Sequence, residues 1–131
     1  ACRAGTTTVF SWGDSASSTQ ANFDGTQPYG GGATGVKIGQ TSNVGQYAAN
    51  PWGFFDMHGN VWEWTADWYS ATYPTGNPVV DPTGPASGSY RVRRGGSWYG
   101  AGTNLRSAKR YNNPPSNRSN NLGFRVGFQK Q

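Results

Sequence analysis

The sequence predicts an α+β domain of irregular, loop-rich architecture, with short antiparallel strands and little helix. Three observations carry this. Twenty of the 131 residues are Gly and eight are Pro, so turns interrupt any long element. Six Trp, seven Tyr and six Phe supply the burial that the scarce aliphatic residues do not. Period-two alternation of apolar side chains occurs only in short runs. Disordered chains are poor in aromatics, so the Gly, Ser and Asn content marks the loops of a folded domain.

In chain order, Ala1 to Gly5 reads as the end of a helix with Gly5 as its stop. Residues 6–12, from Thr6 to Trp12, are β-prone and predict a short strand. Residues 13–46 form a long Gly-, Ser- and Asn-rich loop, a length that calls for a function or an ion to order it. Trp62, Trp64 and Trp68 alternate with Val61, Glu63 and Thr65, which predicts a strand over 60–67. Residues 71–89 hold four Pro and three Gly and predict an irregular, turn-rich loop. Residues 91–97 predict a strand broken at Gly95 and Gly96, residues 105–110 a short strand or turn, and residues 124–128 a closing strand.

At this length the chain is one domain or part of one. It opens without an initiator Met and reads as a piece of a longer polypeptide. No apolar run is long enough to span a bilayer. Cys2 is the only cysteine, so no intrachain disulfide forms. Charge is unevenly spread: all six acids precede residue 82, while seven Arg and two Lys follow residue 90. A basic tail attracts nucleic acid. Planar arginines in a loop-rich fold more often pair with acids and backbone carbonyls, and that structural reading is preferred here.

The densest motif runs from Asp56 to Trp64. Asp56 and Glu63 offer carboxylates, and Gly59 and Val61 offer carbonyls, on a tight turn entering a strand. Calcium takes six to eight such oxygens. The competing reading has Asp56 capping the turn and Glu63 bridging an arginine. His58 has no second His or Cys nearby in sequence, which argues against zinc. Cys2 lies far from it in sequence, which argues against a nucleophile–base pair, so a turn histidine bonded to a carbonyl is expected. Gly30-Gly31-Gly32 lacks the Lys-Ser/Thr of a phosphate loop. Glu63 and Asp67 share a strand face, but Glu63 among tryptophans reads as a structural ion rather than a glycosidase acid.

Residues 99–121 are made almost wholly of Tyr, Gly, Asn, Ser, Pro and Arg and contain no acid. Arg106, Arg110 and Arg118 read as scaffold. Tyr99, Gly100, Ala101, Gly102, Asn104, Tyr111, Asn112, Asn113, Ser119 and Asn120 read as a contact surface. Antibody loops favour the same residues, because they give contact area and adaptable hydrogen bonds at low entropic cost. The expected ligand is a protein or another macromolecule, not a nucleic acid.

Four motifs in order carry a family resemblance: Ala1-Cys2-Arg3-Ala4-Gly5 with Phe10-Ser11-Trp12-Gly13, Gly59-Asn60-Val61-Trp62-Glu63-Trp64, Arg94-Gly95-Gly96-Ser97-Trp98 and Gly123-Phe124-Arg125. The chain resembles the formylglycine-generating enzyme, or sulfatase-modifying factor, family. The resemblance implies a C-type-lectin-like fold, with residues 1–131 forming the C-terminal portion of one domain. The N-terminal helical part of the family domain is absent from these residues and is expected to be a separate chain or deleted. Structural calcium is implied at Asp56, Gly59, Val61 and Glu63, with a second site near Asn22 and Phe23. The family's oxidases bind copper through two cysteines that follow the Gly-Gly-Ser motif. Gly100 stands where the first belongs and the second is missing, so no copper is expected. Val126 stands where the usual disulfide partner of Cys2 belongs.

The tail resembles a subgroup more closely, the bacterial variable proteins of diversity-generating retroelements. There, scaffold residues such as Arg106-Ser107-Ala108, Arg110 and Leu122-Gly123-Phe124-Arg125 alternate with positions biased to Asn, Tyr, Ser and Gly. The resemblance implies a non-catalytic binding module, secreted or at the cell surface, displaying residues 99–121 as a variable protein-binding surface. The alternative is a divergent formylglycine-generating oxidase or an accessory domain of a sulfatase-maturation enzyme.

Overall fold

The computed structural model describes residues 1–73 and 82–127. Its regular structure is one small sheet made of β1 (Trp62–Trp68), β2 (Arg91–Arg94), β3 (Tyr111–Asn113) and β4 (Leu122–Phe124), in the order β3-β2-β1-β4. A 3-10 turn spans Gly102–Leu105. β1 and β2 pair antiparallel, as do β2 and β3, but β4 lies parallel to β1. The sheet is therefore mixed, with one parallel pair beside the antiparallel pairs that the sequence predicts. β4 returns from an excursion over residues 114–121 to the far edge of the sheet, beyond the reach of a hairpin.

Two predicted strands are close to the observed ones. The Trp alternation forms β1, displaced toward the C-terminus, and its pairing with β2 shifts register between Trp64 and Trp68. β2 stops where Gly95 and Gly96 take φ of 90° and 78°, which a strand does not accept. The closing strand is Leu122–Phe124 and ends before Arg125; Phe128 lies outside the described residues. Residues 105–110 turn, with the Lys109 amide bonded to the Arg106 carbonyl. Of the 71–89 loop, residues 74–81 lie outside the described residues.

The strand predicted over 6–12 is not formed. The Thr6 hydroxyl donates to the Arg3 carbonyl at 2.9 Å and that of Thr8 to Phe10 at 2.7 Å, local bonds that compete with a ladder. Only a bridge between Phe10 and Gly13 remains. Ala1–Gly5 is likewise a turn rather than a helix end, with Ala4 and Gly5 at positive φ.

The core sits between this N-terminal half and the 3-10 turn. Phe10, Ala16, Ala21, Phe23 and Leu105 are buried together, with Val9, Trp12 and Tyr29 against them. Phe10 stacks on Trp12 at 5.2 Å and meets Tyr29 edge-on. The indoles contribute less than their number predicts: Trp62 is buried, while Trp52 is exposed. Among the described residues no helix is long and apolar enough to cross a membrane.

Candidate functional site

The turn from Asp56 to Val61 is built on left-handed backbone: Asp56, Gly59 and Asn60 have φ of 55°, 84° and 63°. A Cβ at Gly59 would lie 2.5 Å from the Asn22 carbonyl oxygen, so the turn seats directly on the N-terminal half. The Gly59 amide donates to Gly95 and the Asn60 amide to Asn22, both at 2.8 Å. This geometry brings Asp56, Gly59, Val61 and Glu63 to one cavity of about 380 Å³, with Val44, Phe55, Phe124 and Arg125 at its sides.

Arg125 occupies part of that donor set. Its guanidinium binds both Glu63 oxygens, at 2.7 and 3.0 Å, and donates to the Asp56 carbonyl at 3.3 Å. Hydrogen bonding to Glu63 raises the Arg125 pKa. Asp56 accepts from the Gly45 amide at 2.7 Å. Hard oxygens at Asp56, Gly59 and Val61 are of the kind calcium takes, while Glu63 would have to share its oxygens with the guanidinium. Among the described residues no three His, Cys, Asp or Glu cluster, so a cation here depends on carbonyls. Near the second expected site, the Asn22 Oδ1 is buried without a hydrogen-bond partner, while its amide nitrogen donates to the Gln40 carbonyl at 2.9 Å.

His58 Nδ1 donates to the Leu105 carbonyl at 2.7 Å, which leaves Nε2 to accept from the Ser11 amide at 3.3 Å. The turn-histidine role expected from sequence is present. Cys2, 56 residues away in sequence, has its Sγ 3.6 Å from that Nε2, so distance along the chain was a poor guide. Burial lowers the His58 pKa and raises that of Cys2, which favours a neutral imidazole beside a neutral thiol. Such a thiol is a weak nucleophile.

The predicted contact residues divide. Tyr99 is 64% exposed and Tyr111 47%; Ser119 and Asn120 are exposed, and Ala101 and Asn104 half-buried. A chain of contacts that passes through buried Trp62 and Ser97 links Tyr111 to Tyr99. Tyr111 meets Trp62 at 5.8 Å, and the Trp62 amide binds the Asn121 carbonyl. The Asn121 side chain reaches Ser97, and Trp98 meets Tyr99 edge-on. Gly102 does not belong to this surface. It is buried, and a Cβ there would meet the Tyr29 amide nitrogen at 3.0 Å. Gly100 is half-buried and its carbonyl accepts from the Asp24 amide, which makes it part of the frame.

Tyr111, Asn112 and Asn113 form β3 rather than a loop, so their side chains alternate. Tyr111 pairs with Arg93, and Asn112 pairs with buried Val92 on the opposite face. Sequence reasoning missed two residues that shape this surface. The Arg93 guanidinium lies 4.9 Å from the Trp62 ring and 4.7 Å from that of Tyr111, and Lys37 lies 5.3 Å from the Tyr99 ring. Arg93 was legible only once β3 was recognised as its partner, and Lys37 had no sequence signal.

The arginines act as internal bridges. Arg94 donates to the Lys109 carbonyl, Arg106 to Thr103 and Arg110 to Ser70, while Arg91 stacks on Trp68 at 3.6 Å. Arg118 is exposed, and the described residues give it no such bridge.

Comparison with known proteins follows the same lines. A profile described as "Sulfatase-modifying factor enzyme 1-like domain" matches residues 1–129. The formylglycine-generating enzyme of Streptomyces coelicolor is 46% identical over 88 residues, covering 65% of this chain and 28% of that protein. Among solved structures, Treponema denticola variable protein 1 superposes with a TM-score of 0.73 at 28% identity, covering 94% of this chain and 41% of its own. PvdO from Pseudomonas aeruginosa gives 0.70 at 29% identity, covering 94% and 46%. The chain thus spans less than half the length of each of these proteins.

Proposed function

The chain belongs to the sulfatase-modifying factor enzyme 1-like domain family, and we propose that within it this protein is a non-catalytic binding module. Its contact surface is centred on Tyr99 and Tyr111 and binds a protein or another macromolecule. The observation that carries this reading is two exposed tyrosines held on a frame of internally bridged arginines. Rigid aromatic anchors beside adaptable amides and hydroxyls suit macromolecular recognition. The likeness to a solved variable protein supports the further step that this surface varies among sibling genes. Sequencing sibling copies tests it. Differences should gather at Tyr99, Ala101, Asn104, Tyr111, Asn113, Ser119 and Asn120, and should spare Gly102, Arg106, Arg110 and Arg125. Differences spread evenly over the chain would sink the idea.

The oxidase alternative draws on the formylglycine-generating relatives. Against it stands the single cysteine, whose thiol is half-buried beside His58 rather than paired with a second thiol. Incubation with a sulfatase-type cysteine peptide is expected to yield no formylglycine, and its appearance by mass spectrometry would overturn the binding-module reading.

We also propose structural calcium at the 56–63 turn, held by Asp56, Gly59 and Val61, with Glu63 sharing its oxygens between the ion and Arg125. Calcium that binds the folded chain raises the melting temperature, and a chelator lowers it. A melting curve indifferent to both would remove the ion.

A further inference from the structure

Val92 and Arg94 alternate with Arg93 along β2, so they face away from Tyr111, the partner of Arg93. They line a separate cavity of about 400 Å³. Trp68, Tyr73, Pro82 and Pro85 supply its other apolar walls, while Asp67, Ser70, Thr72 and Arg110 add polar groups to those of Arg94. Both guanidiniums are fixed in place. Arg94 donates to the Lys109 carbonyl at 2.8 Å. Arg110, next in the chain, donates to the Ser70 carbonyl at 3.0 Å and lies 4.1 Å from the Tyr73 ring. Each thus keeps further donors, and none of these is a buried nitrogen without a partner, so they reach solvent. Among the described residues the ion pairs are Lys37–Asp24 and Arg125–Glu63. Neither guanidinium is paired with a carboxylate there, and Asp67 is paired with no cation.

We propose that this cavity binds a small zwitterion with an apolar body, of which an aromatic α-amino acid is the simplest example. Two fixed guanidiniums in one cavity, with no acid between them, favour a carboxylate, which a planar fork accepts through paired hydrogen bonds. Asp67 lines the same cavity without touching either of them, which leaves it to receive an ammonium group. It also disfavours a ligand that carries negative charge alone. Val92, 2% exposed, forms an apolar floor, and the rings of Trp68 and Tyr73 offer faces to the ligand body. A cavity of this volume, mostly apolar and with a few convergent polar groups, is the usual form of a small-molecule site. The cavity includes neither Tyr99 nor Tyr111, and the proposal does not rest on the binding-module reading.

Calorimetric and NMR titration of the chain with L-phenylalanine tests the proposal, beside hydrocinnamate, which lacks the ammonium, and phenethylamine, which lacks the carboxylate. L-phenylalanine should bind, and each one-charge analogue should bind about tenfold more weakly. Shifts should gather at the Trp68 indole and the Val92 methyls and spare Tyr99 and Tyr111. Asp67→Asn breaks no ion pair among the described residues, so the fold should stand. It should weaken L-phenylalanine about tenfold and leave hydrocinnamate unchanged. No binding of L-phenylalanine, shifts confined to other residues, or indifference to Asp67→Asn overturns the proposal. Equal binding of L-phenylalanine and hydrocinnamate overturns it in favour of a plain carboxylate site.

Discussion

The large exposed side chains of this protein differ in kind between two regions. The surface from Trp98 to Asn121 shows tyrosines, Tyr99 and Tyr111, each with a cation near its ring: Lys37 at 5.3 Å and Arg93 at 4.7 Å. The surface from Val44 to Phe55, with Phe124, shows Val, Trp and Phe, and its backbone is held by asparagine and aspartate side chains. A tyrosine keeps its hydroxyl in water while its ring makes contact, so a tyrosine surface tolerates both the free and the bound state. A phenylalanine surface gains nothing from water and calls for lasting cover. The same irregular fold thus exposes one surface of tyrosines beside cations and one of bare hydrocarbon side chains.

The largest expected effects fall on the frame that both surfaces share. Gly59→Ala places a methyl 2.5 Å from the Asn22 carbonyl oxygen at a φ of 84° and should cost about 3 kcal/mol of stability. Gly102→Ala meets the Tyr29 backbone at 3.0 Å and should cost about 1–2 kcal/mol. Gly100→Ala meets the end of the Asn104 side chain at 2.9 Å, which can swing away, and should cost under about 0.5 kcal/mol. Urea unfolding of the three variants checks the order. A cheap Gly102→Ala would return that residue to the contact surface and weaken the division drawn here.

Asp24 links the frame to the tyrosine surface and gives a pH handle. Its carboxylate accepts from the Thr26 hydroxyl at 2.6 Å, from Lys37 at 2.9 Å and from Gln27 at 3.0 Å. These bonds, Thr26 foremost, hold its pKa well below the usual carboxylate range. The unfolded chain titrates near pH ~3.9, so the contribution is full above that pH and is lost as pH falls toward the depressed value. Asp24→Asn should remove this acid-sensitive part and cost about 1–2 kcal/mol at neutral pH. A variant whose stability falls with acid as steeply as the parent would show that Asp24 is not its source.

How much of this was legible in the sequence depended on whether the signal was local. The Trp alternation and the Gly95-Gly96 break are local, and β1 and β2 lie close to where the sequence puts them. The Thr6–Trp12 stretch has local β-propensity too, but its own hydroxyls divert it into turns. β3 was hidden because Tyr111, Asn112 and Asn113 carry no apolar alternation. Only pairing with β2 makes them a strand, and that pairing also turns Asn112 away from Tyr111. Asp56, Gly59, Val61 and Glu63 were found as a group because a tight turn brings near neighbours together. The Arg125 guanidinium on Glu63 comes from 62 residues away, and pairing with an arginine was legible only as an alternative without a named partner. The proximity of Cys2 to His58 was missed for the same reason.

The smallest expected effect separates contact from frame most sharply. Tyr99 and Tyr111 are exposed, so their truncation removes little buried area. Tyr99→Ala should change stability by less than about 0.5 kcal/mol. Its cation contact is with Lys37, whose ammonium keeps its bond to Asp24 after the ring is gone. Tyr111→Ala should cost slightly more, about 0.5–1 kcal/mol, because Arg93 lies against both its ring and that of Trp62 and loses one of the two. Burial already lowers the Arg93 pKa, so the loss of an aromatic neighbour is felt there. Binding should respond in the opposite proportion, with the double variant losing about 2 kcal/mol or more against a macromolecular ligand. Denaturation and titration on the same preparations compare the two. If unfolding free energy falls by as much as binding does, the tyrosines are part of the frame and this surface is not built for contact.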